Sequence, residues 1–136
     1  MRLLLDTVAI IRWFEASPQL SAEAREAIIE GYEVYVSAVT AVEIAAKTAI
    51  GKLQVPDDFA KRIAEQSMME LPLTVRHGLA MKDLPLHHRD PFDRMLIAQA
   101  RCEGLTIVTS DRAFAAYEGA DPARLTHQIP DRRRSS

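Results

Sequence analysis

In the stretch Asp90-Pro91-Phe92-Asp93-Arg94-Met95-Leu96-Ile97-Ala98-Gln99-Ala100-Arg101-Cys102-Glu103-Gly104-Leu105-Thr106-Ile107-Val108-Thr109-Ser110-Asp111, a helix is followed by a strand and the strand by an acid. Asp90 suits the N-cap because its side chain can accept from first-turn amides. Pro91 suits the first helical position, where no backbone donor is needed. This helix is expected to run to about Cys102 and to end at Gly104. Leu105 to Thr109 is apolar and β-branched and reads as the clearest strand in the chain. Ser110-Asp111 follows it, and then a helix over about Arg112 to Tyr117.

The same alternation extends outward in both directions. Arg2 to Leu5 is too short for a helix and suits a strand buried on both faces, ending at Asp6. Val8 to Ala16 reads as a helix closed by Ser17-Pro18, and Ser21 caps a second helix that Gly31 stops near Glu30. Val34 to Ala38 predicts a second strand. Thr40 is expected to open a helix that reaches about Ile50 and closes at Gly51. A further helix is expected from Asp57 or Asp58 to Gln66 or Ser67. Glu70 to Leu73 reads as a short strand, with Pro72 pointing to an edge or irregular position. Val75 to Lys82 reads as helix, Leu84 to Arg89 as loop, and Leu125 to Gln128 as a last short strand. Parallel strands need crossover connections, so the predicted class is α/β with helices on both faces of a parallel sheet.

With 136 residues, 48% of them hydrophobic, the chain suits one compact domain, expected over residues 1–128, with 129–136 a basic tail that has no apolar anchor from Asp131 to Ser136. No apolar run approaches the roughly 20 residues of a membrane span, and Asp6 interrupts Leu3-Leu4-Leu5 at once, so neither a span nor a signal peptide is expected. Cys102 is the only cysteine, which excludes an internal disulfide and fits a reducing, cytoplasmic setting. The net charge of −2 gives no global basic field for attracting phosphates. A site that grips phosphodiesters through divalent cations needs less protein-borne positive charge.

Ligands of open parallel sheets bind beyond the carboxyl ends of the strands. Asp6 directly follows the first strand, Glu43 lies in the first turn after the second, and Asp111 follows the strand at Leu105. Asp93 sits one turn into the helix before that strand and joins them only by the folding of the chain. Unit charges about 4 Å apart repel by about 4 kcal/mol at an effective dielectric near 20, so clustered carboxylates require a cation. Mg²⁺ or Mn²⁺, which prefer oxygen ligands, would meet that need and would activate water against a phosphodiester. Simpler roles exist for three of the four. Thr40 and Glu43 fit a capping box, Glu43 can pair with Lys47, and Asp90, Asp93 and Asp111 can serve helix N-termini. Asp6 resists such treatment, because an acid ending an apolar strand is partly desolvated and needs a partner or an ion.

Four segments together, Leu3 to Thr7, Ser37 to Ala45, Asp90 to Ala100 and Leu105 to Asp111, resemble the PIN domain of VapC-type toxins from bacterial toxin–antitoxin pairs. The resemblance runs from Met1 to about Gln128. It implies a three-layer α/β/α fold with a central parallel sheet of about five strands. It further implies a Mg²⁺-dependent ribonuclease, usually a homodimer, inhibited by a cognate antitoxin. On that likeness Asp6 and Asp93 are the principal metal ligands, with Glu43 and Asp111 completing the pocket. Asp90 would cap its helix, and Thr7 and Ser110 would donate hydrogen bonds behind the ligands. Val8 and Val42 stand where members of the subgroup often carry His and Trp, which weakens transfer of substrate or partner preference.

Other residues draw plainer expectations. His77, His87, His88 and His127 lack the spacing of paired metal ligands and are expected in solvent. Trp13 and Phe14 are expected in the core or a dimer contact, and Cys102 as a buried small hydrophobe. Ala41, Ala45, Ala46 and Ala49 are expected to permit close packing within the core, with a partner-helix groove as the alternative. Two competing functions remain at this point. One is a phosphatase with Asp6 as nucleophile, disfavoured because Val8 stands where a second aspartate would act as acid. The other is a non-catalytic binding module.

Overall fold

The computed structural model describes residues 2–85 and 90–109. Strand β1 (Arg2–Leu5) leads into α1 (Thr7–Phe14) and α2 (Ala22–Glu30), then β2 (Glu33–Ser37) and α3 (Ala38–Ala49). Helix α4 (Phe59–Glu65), β3 (Met69–Leu71), α5 (Val75–Ala80), a 3₁₀ turn (Met81–Asp83), α6 (Pro91–Glu103) and β4 (Thr106–Val108) follow. All strand pairs are parallel, in the order β3-β2-β1-β4. The chain's first strand is therefore central, flanked by β2 and β4.

Side chains alternate across a strand, and here the alternation divides the core in two. Leu4 and Ile107 point to one face with Val39, Leu71, Leu96 and Ile97. Leu3, Leu5 and Val108 point to the other with Ile10, Ala24 and Ile28. Helices thus cover both faces in three layers, as the unbroken Leu3-Leu4-Leu5 run requires. Four strands lie among the described residues. The expected fifth, at Leu125 to Gln128, lies outside them, as do the expected helix over Arg112 to Tyr117 and the tail.

Several boundaries differ from the sequence reading. Helix α1 begins at Thr7, because Asp6 is its N-cap and accepts from the Ala9 amide at 2.7 Å. Helix α3 begins at Ala38 rather than Thr40, since Ser37 is the cap and accepts from the Val39 amide at 2.9 Å. Thr40 and Glu43 are consequently both inside the helix and form no capping box. Pro72 falls just beyond edge strand β3. Gly104 ends α6 in the left-handed region, at φ 70°, which a Cβ would disfavour. Gly31 is needed for closeness, because a Cβ there would meet Val34, Ala27 and Leu3 atoms at 3.0–3.1 Å.

Three burial expectations are corrected. His77 is 1% exposed: the α5 capping box with Thr74 draws its ring inward, where Glu103 at 2.7 Å and Gln99 satisfy it. His87, His88 and His127 lie outside the described residues. Ala41, Ala45, Ala46 and Ala49 are exposed, because α3 buries Val39, Thr40, Glu43 and Ile44 instead. Cys102 is half-buried. Among the described residues, no helix is long and apolar enough to cross a membrane.

Candidate active site

The parallel sheet has two distinct ends. Near the amino ends of β2 and β3 lies a cavity of about 340 Å³ lined by Trp13, Tyr32, Gln66 and Met68 among others. At the carboxyl ends lies one of about 210 Å³ lined by Asp6, Thr7, Val8, Glu43, Lys47, Asp90 and Asp93. The second is smaller, but it occupies the end where parallel-sheet loops carry chemistry and holds the titratable groups.

Three parts of the chain deliver the four acids: the β1–α1 junction, α3 and the start of α6. Asp6, 4% exposed, ends β1 and is fixed at both oxygens: Oδ1 accepts from the Ala9 amide, and Oδ2 accepts a short hydrogen bond from the Thr109 hydroxyl. The register explains the latter. Leu5 pairs with Val108, and the Asp6 amide donates to the Val108 carbonyl at 3.2 Å, so the residues after each strand end meet. Glu43, also 4% exposed, accepts from Thr7 Oγ1 at 2.6 Å on one oxygen and from Lys47 Nζ at 2.6 Å on the other. Thr40 Oγ1 lies 3.2 Å from Thr7 Oγ1, which ties α1 to α3 beneath the cavity. Asp93 is half-buried in the first turn of α6. Asp90 caps that helix and accepts from the Phe92 amide at 2.9 Å.

The whole of this chain between residues 3 and 120 matches the family model described as PIN domain. The chain belongs to the PIN domain family. Solved structures agree on the fold. VapBC2 of Rickettsia felis bound to a promoter DNA fragment matches with a TM-score of 0.63 at 13% identity, covering 86% of this chain and 93% of that one. DNA-bound VapBC of Salmonella typhimurium matches with a TM-score of 0.62 at 16% identity, covering 88% and 94%. FitAcB of Neisseria gonorrhoeae gives 0.57 at 23% identity, covering 85% and 93%. No curated protein sequence matches the chain.

Within this PIN domain, the structure brings Asp6, Glu43 and Asp93 to one cavity, with Thr7 and Asp90 beside them. Asp111 and Ser110 lie outside the described residues. Among the described residues, no three acid, histidine or cysteine side chains are close enough to form a ready-made metal cage. The donor set is nevertheless all oxygen, which suits a hard divalent cation that keeps several waters. The pairing expected between Glu43 and Lys47 is formed. It raises the Lys47 pKa, first through the hydrogen bond from its ammonium to Glu43 and then, against desolvation, through the charges of Glu43, Asp90 and Asp93.

Thr40 and Thr109 are members of this PIN cluster that the sequence reading passed over. Thr109 had a signal, since it ends β4 as Asp6 ends β1. Thr40 was read as a cap, although its spacing to Glu43 also places the two side chains on one helix face.

Proposed function

We propose that this PIN domain is a metal-dependent endoribonuclease of the VapC type, the toxin of a toxin–antitoxin pair. The observation that carries the reading is that carboxylates from β1, α3 and α6 line one cavity at the carboxyl end of a PIN sheet. The neighbours' names support the pairing, since two are VapBC complexes. On this reading RNA is the substrate, a cognate antitoxin protein is the inhibitor, the working form is a homodimer, and the setting is cytoplasmic.

Asp6, Glu43, Asp93 and Asp111 would hold Mg²⁺, with Mn²⁺ as a substitute. When bound, the ion would supply Lewis acidity toward a phosphodiester oxygen and would make a bound water more acidic than bulk water. The chain's own residues prepare this. Thr109 and the Ala9 amide orient Asp6, Thr7 orients Glu43, and Asp90 orders the turn that carries Asp93, while Ser110 is proposed as a further donor. Such supporting hydrogen bonds fix ligand orientation and are commonly worth 10–100-fold in affinity or activity.

The test is cleavage of structured RNA by purified, antitoxin-free protein. Mg²⁺ should permit cutting and EDTA should stop it. Asp93→Asn, which removes a charge but keeps the side-chain shape, should lower the rate about 1000-fold, or about 4 kcal/mol, while the melting temperature stays within a few degrees. RNA left intact by metal-loaded wild type would overturn the nuclease reading in favour of a binding module.

A further inference from the structure

Four carboxylates line the cavity, from Asp6, Glu43, Asp90 and Asp93, and among the described residues lining it the one cationic side chain is Lys47. Its Nζ lies 2.6 Å from Glu43 Oε2, and the two ends of the pair are unequal: the Lys47 side chain is 45% exposed and that of Glu43 only 6%. An ordinary i,i+4 pair joins two solvated ends and contributes a few tenths of a kcal/mol. Here the anion is largely buried and poorly hydrated, while the cation sits on a flexible stem that reaches in from solvent. The other Glu43 oxygen is already taken by Thr7.

We propose that Lys47 is the built-in counter-ion of the acidic cavity, a positioning residue that holds Glu43 and that a divalent cation must displace to gain that carboxylate. This goes beyond the nuclease reading but rests on it for the identity of the competitor. The consequence is directional: Lys47 sets the threshold of divalent concentration at which Glu43 becomes available. A lysine is suited to this, because its ammonium is a point charge on a long stem, whereas an arginine fork would bind a carboxylate in two places.

Mn²⁺ alone is the probe, with free ion counted by electron paramagnetic resonance at fixed low ionic strength and without RNA. Lys47→Met keeps the length of the stem and removes the charge, and should tighten Mn²⁺ binding about 10-fold. Lys47→Arg should bind Mn²⁺ no more tightly than wild type. Unchanged or weaker Mn²⁺ binding by Lys47→Met would overturn the proposal.

A second arm needs no metal. In EDTA, Lys47→Met should melt several degrees below wild type, and adding Glu43→Gln should recover part of that loss, because the stranded charge is gone. Strictly additive losses would overturn the counter-ion role. A wild type that binds no Mn²⁺ but shows the coupled EDTA cycle would overturn the metal reading and leave the counter-ion standing.

Discussion

Two buried polar clusters lie on this sheet, and they are balanced in opposite ways. In the first, His77 Nδ1 accepts from the Thr74 amide at 3.1 Å, which leaves Nε2 to donate to Glu103 at 2.7 Å. Arg76 supports the same carboxylate at 3.2 Å. Gln99 joins them, accepting from Ser37 at 2.5 Å and donating to the Pro72 carbonyl at 3.2 Å. Donors and acceptors are matched throughout. In the second, four carboxylates share a cavity whose described lining offers one ammonium. A matched network locks α5, α6 and β2 together, whereas carboxylates gathered around one cavity cost stability unless positive charge offsets them. The contrast teaches that burial of polar groups alone does not mark a site. The excess of one sign does.

That contrast can be broken by substitution. The largest difference is expected between Asp93→Asn, which should abolish most cleavage and spare stability, and His77→Ala, which should do the reverse. Loss of the 1%-exposed imidazole leaves a void and strands the Thr74 amide, a cost of about 2–4 kcal/mol. Denaturant melts should show this, with cleavage per folded molecule unchanged. If His77→Ala instead silences a protein of normal stability, the division between the clusters fails.

A middle effect is expected at Thr109, which belongs to the acidic cluster by contact. Thr109→Val keeps the shape and removes the donor to Asp6, and should cost about 1 kcal/mol in stability together with a 10–100-fold loss of cleavage. A change in stability alone would move Thr109 to the structural side of the comparison.

The smallest effect concerns acid. Glu103 is held below its ordinary pKa of 4.5, first by the hydrogen bond from His77 and then, against desolvation, by the positive charges of Arg76 and Arg2. A depressed carboxylate pKa means that the native state binds fewer protons than the unfolded chain. The contribution is therefore fully present above pH 4.5 and is lost as pH falls through the lower native value. Glu103→Gln should flatten the acid limb of stability measured below pH 4.5. An identical slope in both proteins would remove Glu103 from the network's account.

Much of this was legible in the sequence, for identifiable reasons. The unbroken run at Leu3-Leu4-Leu5 demanded cover on both faces, and Asp90-Pro91 with Gly104 marked both ends of α6 through local backbone chemistry. The four segments with their ordered acids carried the family. What sequence could not show depends on register and helix phase. The helical phase of α3 buries Glu43 and leaves its alanines in solvent, and neither follows from composition. Capping was assigned to Thr40 when Ser37, three residues earlier at the end of β2, took the role. The burial of His77 is not announced by its neighbours, since Val75 and Leu79 are exposed; its partners at Gln99 and Glu103 are 22 and 26 residues away.

The bond from Thr109 to Asp6 spans 103 positions of sequence, because the chain's opening strand lies between β2 and β4. The Asp6 carboxylate is therefore synthesised well before its hydroxyl partner, which arrives 103 positions later. During translation the cluster stays unfinished until the closing strand docks alongside the opening one. A nascent chain shorter than that lacks the arrangement altogether, so order of synthesis itself keeps the cavity from forming early.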